Sequence, residues 1–172
     1  MLGSMKLDEI DIRILSALQR EGRITKLKLA EKVNLSATPC WERLRRLEKQ
    51  GVIAGYHATL DLSQLARFTL VLTEISLHRH QQADFKRFEQ TMQETDEVLE
   101  CYATGGGIDY LLKVIARDVD HYQRLIDRLL TLDVGIDRYF TYIVTKPIKE
   151  SREVPLTALM GKEHLPSEEK LS

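Results

Sequence analysis

Arg43, Arg45 and Arg46 fall within four positions of one another, with Lys49 close behind. A guanidinium can grip a phosphate or a guanine edge through two N–H groups, so arginines clustered on one helix suit nucleic-acid binding. They lie in LSATPCWERLRRLEKQ, residues 35–50. Ser36 is placed to cap a helix, and Pro39 falls in its first turn, where a missing N–H is tolerated. Cys40, Leu44 and Leu47 recur at helical spacing and form the expected buried stripe. The remaining residues point elsewhere. The N-terminal turn of such a helix faces base edges, which makes Ala37, Thr38, Pro39 and Trp41 candidates for base or thymine-methyl contact. Arg43, Arg45, Arg46 and Lys49 are expected on phosphates, with Ser36 and Glu42 completing the candidate DNA-binding set. A plainer reading stands beside this one. Trp41 packs at a domain joint, and Arg43 and Arg46 pair with Glu42 and Glu48 on a solvated face.

A second group is Gly105-Gly106-Gly107-Ile108-Asp109. Between two strands, such a run reads as a hairpin turn in which at least one glycine supplies a positive φ. A phosphate-cradling loop is excluded, since no helix follows and no Lys-Ser/Thr pair is present. The five histidines, His57, His78, His80, His121 and His164, are scattered. His78 and His80 are spaced to share one strand face, but no third metal ligand is evident. A solvated, edge-protecting role with Arg79 fits them better. No Ser-His-acid set and no nucleotide fingerprint occurs, so the chain does not read as an enzyme.

The arginine-bearing helix needs a scaffold. Asp8 is placed to cap a first helix with Glu9 and Asp11 in its first turn, and Ile10, Ile14, Leu15, Ala17 and Leu18 line its inner face. Gly22 is expected to end it in the left-handed conformation. Thr25 caps a second helix that turns Leu29, Ala30 and Val33 inward, and Asn34 suits a tight inter-helix turn. Two short helices joined this way, the second one basic, read as a helix-turn-helix. Val52, Ile53, Tyr56 and Thr59 then favour strand, either as a wing or as a connector.

The glycine turn needs a scaffold too. Strands are expected at 70–78, 98–103, 109–116 and 136–145. One helix is expected at 82–94, with Phe85, Phe88 and Met92 inward, and another around Tyr122, Leu125, Ile126 and Leu129. The order β-α-β-β-α-β is a ferredoxin-like arrangement with both helices on one face of an antiparallel sheet. Apolar residues of both parities (Leu70 and Leu72 against Val71 and Ile75) give the sheet's other face something to bury. A partner protomer is its expected cover. Tyr139, Phe140 and Tyr142 make the last strand aromatic, as core, interface or pocket wall.

The fold class is therefore α+β. A winged helix-turn-helix is expected over residues 5–60, a linker over 61–67, the ferredoxin-like domain over 68–150, and a polar tail over 151–172 with weak order from Pro155. Met1 to Ser4 reads as an addition ahead of Met5 and stays outside the fold reasoning. The net charge of −1 conceals an asymmetry: residues 1–66 hold eleven Lys and Arg against eight Asp and Glu, and residues 67–172 hold fourteen against eighteen. A basic module joined to an acidic one fits a nucleic-acid reader with a separate sensing domain. Cys40 and Cys101 are read as two buried thiols of a reducing cytosol. No apolar run approaches the length of a membrane span.

Three motifs in order carry a family resemblance: Leu7-Asp8-x-x-Asp11-x-x-Ile14-Leu15, LSATPCWERLRRLEKQGVIAGY (35–56) and ECYATGGGIDYLLKV (100–114). The chain resembles the Lrp/AsnC (feast/famine) transcriptional regulators from about Leu7 to Pro155. The resemblance implies a cytoplasmic regulator that binds double-stranded DNA. It implies a homodimer formed through the sheet and assembling into an octamer. It implies no cofactor, but an amino-acid effector held at an interface between protomers. The family's Gly-x-x-Asp turn falls on Gly106 and Asp109. The implied effector residues are Tyr102, Thr104, Gly105, Gly106, Gly107, Ile108, Asp109 and Thr141. Bare backbone N–H groups would take the effector's carboxylate, and Asp109 would oppose its ammonium group. The competing function is a ferredoxin-like metabolite-binding protein whose helical head binds protein.

Overall fold

The structure, a computed structural model, describes residues 7–151 and 153–159. The addition expected before Met5 lies outside the described residues. The chain divides into two compact units: the described residues before Leu60 together with those after Ile148, and Leu60–Ile148.

The first unit is helical. Helix α1 (Glu9–Arg20) opens with a capping box, in which Asp8 accepts the Asp11 N–H and the Asp11 side chain accepts the Asp8 N–H. Helix α2 (Lys26–Lys32) is capped by the Thr25 side chain. Asn34 takes the left-handed conformation (φ 57°), so that the Leu35 N–H reaches the Ala30 carbonyl at 2.9 Å. That turn sets α2 against α3 (Ala37–Lys49). Helix α3 closes the same way: Gly51 stands at φ +72° and the Val52 N–H donates to the Leu47 carbonyl at 3.0 Å. Ile14, Leu15, Ala17, Leu29, Ala30, Val33, Cys40, Leu44 and Leu47 form one buried core.

Four expectations are corrected here. Gly22 does not adopt a left-handed backbone; α1 ends at Glu21, whose N–H donates to the Ala17 carbonyl at 3.0 Å. The strand expected over 52–59 does not form, and among the described residues no strand lies between α3 and residue 69. Nothing there supplies a ladder partner within the chain. Of the tail expected over 151–172 with weak order from Pro155, residues 160–172 lie outside the described residues, and residues 155–159 are ordered. They form a single turn, α6 (Leu156–Leu159), and Leu156 packs on the first unit's core. Gln19 fixes Val154 on both sides, with its amide donating to the Val154 carbonyl (3.2 Å) and accepting the Val154 N–H (2.6 Å). Cys101 is the fourth: Cys40 is buried, but Cys101 is exposed.

The second unit begins with a 3₁₀ turn (Leu62–Gln64) and continues β1 (Thr69–Leu77), α4 (Gln82–Gln93), β2 (Val98–Ala103), β3 (Tyr110–Ala116), α5 (Val119–Thr131) and β4 (Ile136–Ile143). The strands lie in the order β2-β3-β1-β4, and each neighbouring pair is antiparallel. This is the expected ferredoxin-like topology. Val71, Ile75 and Leu77 of β1 and Tyr110, Leu112 and Val114 of β3 meet Phe88 and Met92 of α4 and Tyr122, Leu125, Ile126 and Leu129 of α5. Thr73, buried on this face, hydrogen-bonds the Tyr122 hydroxyl at 2.9 Å, and the same hydroxyl meets Thr141 at 2.8 Å. Strand β2 lies at the edge, where the helix layer thins. A cavity of about 420 Å³ opens there between Glu89, Met92, Cys101 and Tyr110, which is why Cys101 is exposed.

Candidate DNA edge and effector turn

Helix α3 buries Cys40, Leu44 and Leu47 and exposes Ser36, Ala37, Thr38, Pro39, Glu42, Arg45, Arg46 and Lys49. Ser36 occupies the N-cap position, yet its hydroxyl makes no cap hydrogen bond. The third helical residue, a usual donor to such a cap, is Pro39, which has no N–H. The hydroxyl and the first-turn backbone N–H groups of α3 therefore lie together at an exposed helix start, where the helix dipole favours a phosphate.

The four cations divide into two pairs. Arg43 turns inward to α1, with its Nη1 2.5 Å from Asp8 Oδ2 and 3.0 Å from Asp11 Oδ1. The Arg46 Nη2 lies 2.5 Å from Asp11 Oδ2. Neither pairs with Glu42 or Glu48; Glu48 instead accepts the Tyr56 hydroxyl at 2.8 Å. Burial, reinforced by that carboxylate, pushes Tyr56 up to about 12. The Asp11 side chain is only 1% exposed. A carboxylate so deeply buried needs opposing charge, and two arginines of α3 supply it. Burial works to raise the Asp8 carboxyl, but the Asp11 backbone N–H and the Arg43 guanidinium outweigh it and hold it below its ordinary value. Arg43 and Arg46 thus anchor α3 to α1, and Arg45 and Lys49 remain on the exposed flank. Trp41 is half-buried against the core, and the Lys26 Nζ sits 3.2 Å from its ring centroid in a cation–π contact. In sequence, Asp11 is placed in the first turn of α1 without its arginine partners, although its place on the buried face, three residues before Ile14, is a signal. A charge on an apolar stripe demands a partner.

The second group joins β2 to β3. The Thr104 N–H donates to the Asp109 carbonyl (2.9 Å), and the Thr104 hydroxyl donates to the Ile108 carbonyl (2.6 Å). Gly106 has φ +155°, so it is the glycine of this turn whose backbone favours that residue. Gly105 and Gly107 are exposed, and a Cβ added at either would meet nothing within 4 Å. Asp109 ties the turn to β1. Its Oδ2 accepts the Leu77 N–H at 2.7 Å, and its backbone N–H donates to the Ile75 carbonyl at 2.9 Å. Its carboxylate also meets His80 Nε2, at 3.0 Å from Oδ1 and 3.1 Å from Oδ2.

Thr104 to Asp109 therefore lie together, but Tyr102 and Thr141 do not share a face. Register pairs Tyr102 with Leu111 on the open side of the sheet, where its hydroxyl donates to Glu100 at 2.8 Å. Thr141 pairs with Thr73 on the helix-covered side. The histidines also differ from expectation. Strand β1 ends at Leu77, so His78 and His80 do not share a strand face. His78 Nδ1 meets Asp137 at 2.8 Å, while His80 goes to Asp109.

The open sheet face carries Leu70, Leu72 and Glu74 of β1, Glu100 and Tyr102 of β2, Leu111, Lys113 and Ile115 of β3, and Phe140 and Tyr142 of β4, as register and strand alternation require. Phe140 and Tyr142 are each 50% exposed. No described helix is long and apolar enough to cross a membrane.

Two family models match. One, described as a winged helix-turn-helix DNA-binding domain, covers residues 7–54, and the other, the Lrp/AsnC ligand binding domain, covers residues 70–154. The transcriptional regulatory protein DoeX of Halomonas elongata is 58% identical over 145 residues, spanning 84% of this chain and 92% of that one. The leucine-responsive regulatory protein of Escherichia coli K12 is 40% identical over 148 residues, spanning 86% and 90%. A transcriptional regulator of Neisseria meningitidis, solved as a complex with L-Met, aligns with a TM-score of 0.83 at 32% identity, covering 89% of this chain and 99% of that one.

Proposed function

The chain belongs to the Lrp/AsnC family of transcriptional regulators, and from that premise we propose how its parts divide the work. It is a regulator rather than an enzyme, as its relatives are. The match of the helical head to a DNA-binding model sets aside the protein-binding alternative.

In our reading, Ser36, Ala37, Thr38, Pro39, Trp41 and Glu42 form the edge that faces base pairs, and Arg45 and Lys49 meet phosphates. Arg43 and Arg46 act one step back, fixing the angle of α3 through Asp11. The observation that carries this division is the pairing of both arginines with a buried carboxylate on α1. Two protomers join through the open sheet face, where Leu70, Leu72, Leu111, Ile115 and Phe140 give a partner apolar surface to bury. Such dimers present two copies of α3 about one DNA turn apart, roughly 34 Å. They assemble further into an octamer and act in the cytoplasm, where the DNA is.

The effector is an amino acid, an assignment supported by the ligand-binding family model and by the L-Met complex of the Neisseria relative. The turn Thr104–Asp109 supplies exposed N–H groups for its carboxylate and Asp109 for its ammonium group. Tyr102 and Thr141, on opposite faces of one sheet, enter the site only from different protomers. An effector changes DNA occupancy by no more than its difference in affinity for the two states it selects between. Footprinting on the DNA upstream of the chain's own gene, with and without each amino acid, tests the reading. A two-fold protected site whose occupancy responds to one or a few amino acids is expected. Protection absent under all conditions would refute it.

A further inference from the structure

The contact between His80 and Asp109 is not explained by the fold alone. Asp109 already has a structural task, since its Oδ2 accepts the N–H of Leu77, the last residue of β1. A ligand that broke this bond would orphan a backbone N–H at the strand end. Oδ1 is the oxygen that Leu77 leaves free, and His80 Nε2 straddles the carboxylate, 3.0 Å from Oδ1 and 3.1 Å from Oδ2. His80 belongs to the connection between β1 and α4, is 63% exposed, and is steadied by Phe85 with ring centroids 5.9 Å apart. A surface imidazole on a connection can rotate away without disturbing the core.

We infer that His80 is a latch on the effector turn: it occupies the Asp109 carboxylate, and an incoming amino acid must displace the imidazole with its own ammonium group. This rests on the reading of the turn as the effector site. One N–H donor is exchanged for another at the same carboxylate, which keeps a partner throughout. The exchange lowers apparent affinity for every amino acid by the strength of the latch. It also favours ligands whose amino group is free, because only these bring an ammonium group to the carboxylate in place of the imidazole. His80 is in this sense a residue that sets affinity and selectivity, and it does not hold the ligand.

The test uses the full chain and calorimetric titration. The probe is whichever of the twenty L-amino acids binds most tightly, together with its N-acetyl derivative. His80→Ala should tighten the amino acid by about three- to fivefold, the scale of an exposed charged pair. It should leave the N-acetyl derivative unchanged. His80→Gln, which keeps a neutral donor, should fall between. A merely structural role for His80 would shift both probes alike. If His80→Ala moves both by the same factor, or weakens the free amino acid, the latch is overturned. In that case a loss of binding in Asp109→Asn would leave the effector site itself standing. If no amino acid binds any form, the effector reading fails and the latch falls with it.

Discussion

The two units differ in where they keep their charge and what they leave open. The helical head takes charge inside, burying the Asp11 carboxylate and closing two arginines over it. Its three main helices close on one core, and α3 leaves a polar edge exposed. The sheet unit does the reverse. Its helix-covered face is closed by Phe88, Tyr122 and Leu125, while the opposite face holds Leu72, Phe140 and Tyr142 in the open. The first unit is complete as a fold and presents a surface for a charged polymer. The second leaves a mixed face of apolar and charged residues open to a partner. A basic cluster in a sequence therefore says less than its partners do, since half of the cations on α3 are spent on holding the helix.

The strongest way to break this contrast is Asp11→Ala. Removing the Asp11 carboxylate takes away the capping-box acceptor and two ion pairs whose arginine ends are 27% and 45% exposed, a cost of about 1–3 kcal/mol. Because the only tryptophan is Trp41, in the head, its fluorescence during urea unfolding reports that unit. The Trp41 transition should move to markedly lower urea; an unchanged midpoint would mean the head is not held by this clamp. Next comes Phe140→Asp, which sets a charge on the open face. Sedimentation should show self-association weakened by at least about tenfold, as expected for a charge desolvated at an apolar interface. Unaltered assembly would place the interface elsewhere.

The smallest of these effects is in acid. The Asp8 carboxyl is held below its ordinary value of 3.8, so its contribution is full above that value and is lost as pH falls through the lower, folded one. The Trp41 urea midpoint should fall on going from pH 5 to pH 3, and Asp8→Asn should flatten that fall. An equal pH dependence in the variant would remove Asp8 from the clamp.

Much of this was legible because its signals are local. Caps at Asp8 and Thr25, the left-handed turn at Asn34 and the spacing of Cys40, Leu44 and Leu47 each depend on a few neighbouring residues. The β-α-β-β-α-β order emerged for the same reason, since strand alternation and helix periodicity are short-range. What stayed hidden was partnership across distance. Arg43 and Arg46 meet Asp11 from 32 and 35 residues away. The Gln19 amide meets Val154 from 135 residues away. Cys101 alternates correctly for the helix-covered face, but the sheet edge outruns the helices above it. The geometry of the turn proposed for the effector was legible in part. The motif pointed to Gly106 and Asp109, whereas the attachment of Asp109 to Leu77 and His80 follows from where β1 happens to end.

The central claim is that the exposed edge of α3 reads DNA, with Arg45 and Lys49 as its phosphate contacts. The direct measurement is the salt dependence of DNA affinity for the wild type and for Arg45→Ala combined with Lys49→Ala. Each lost phosphate contact lowers the slope of log K against log salt by about 0.9. The account predicts a slope reduced by about 2 for each bound head, with the Trp41 unfolding transition unmoved. A slope identical to wild type would contradict it.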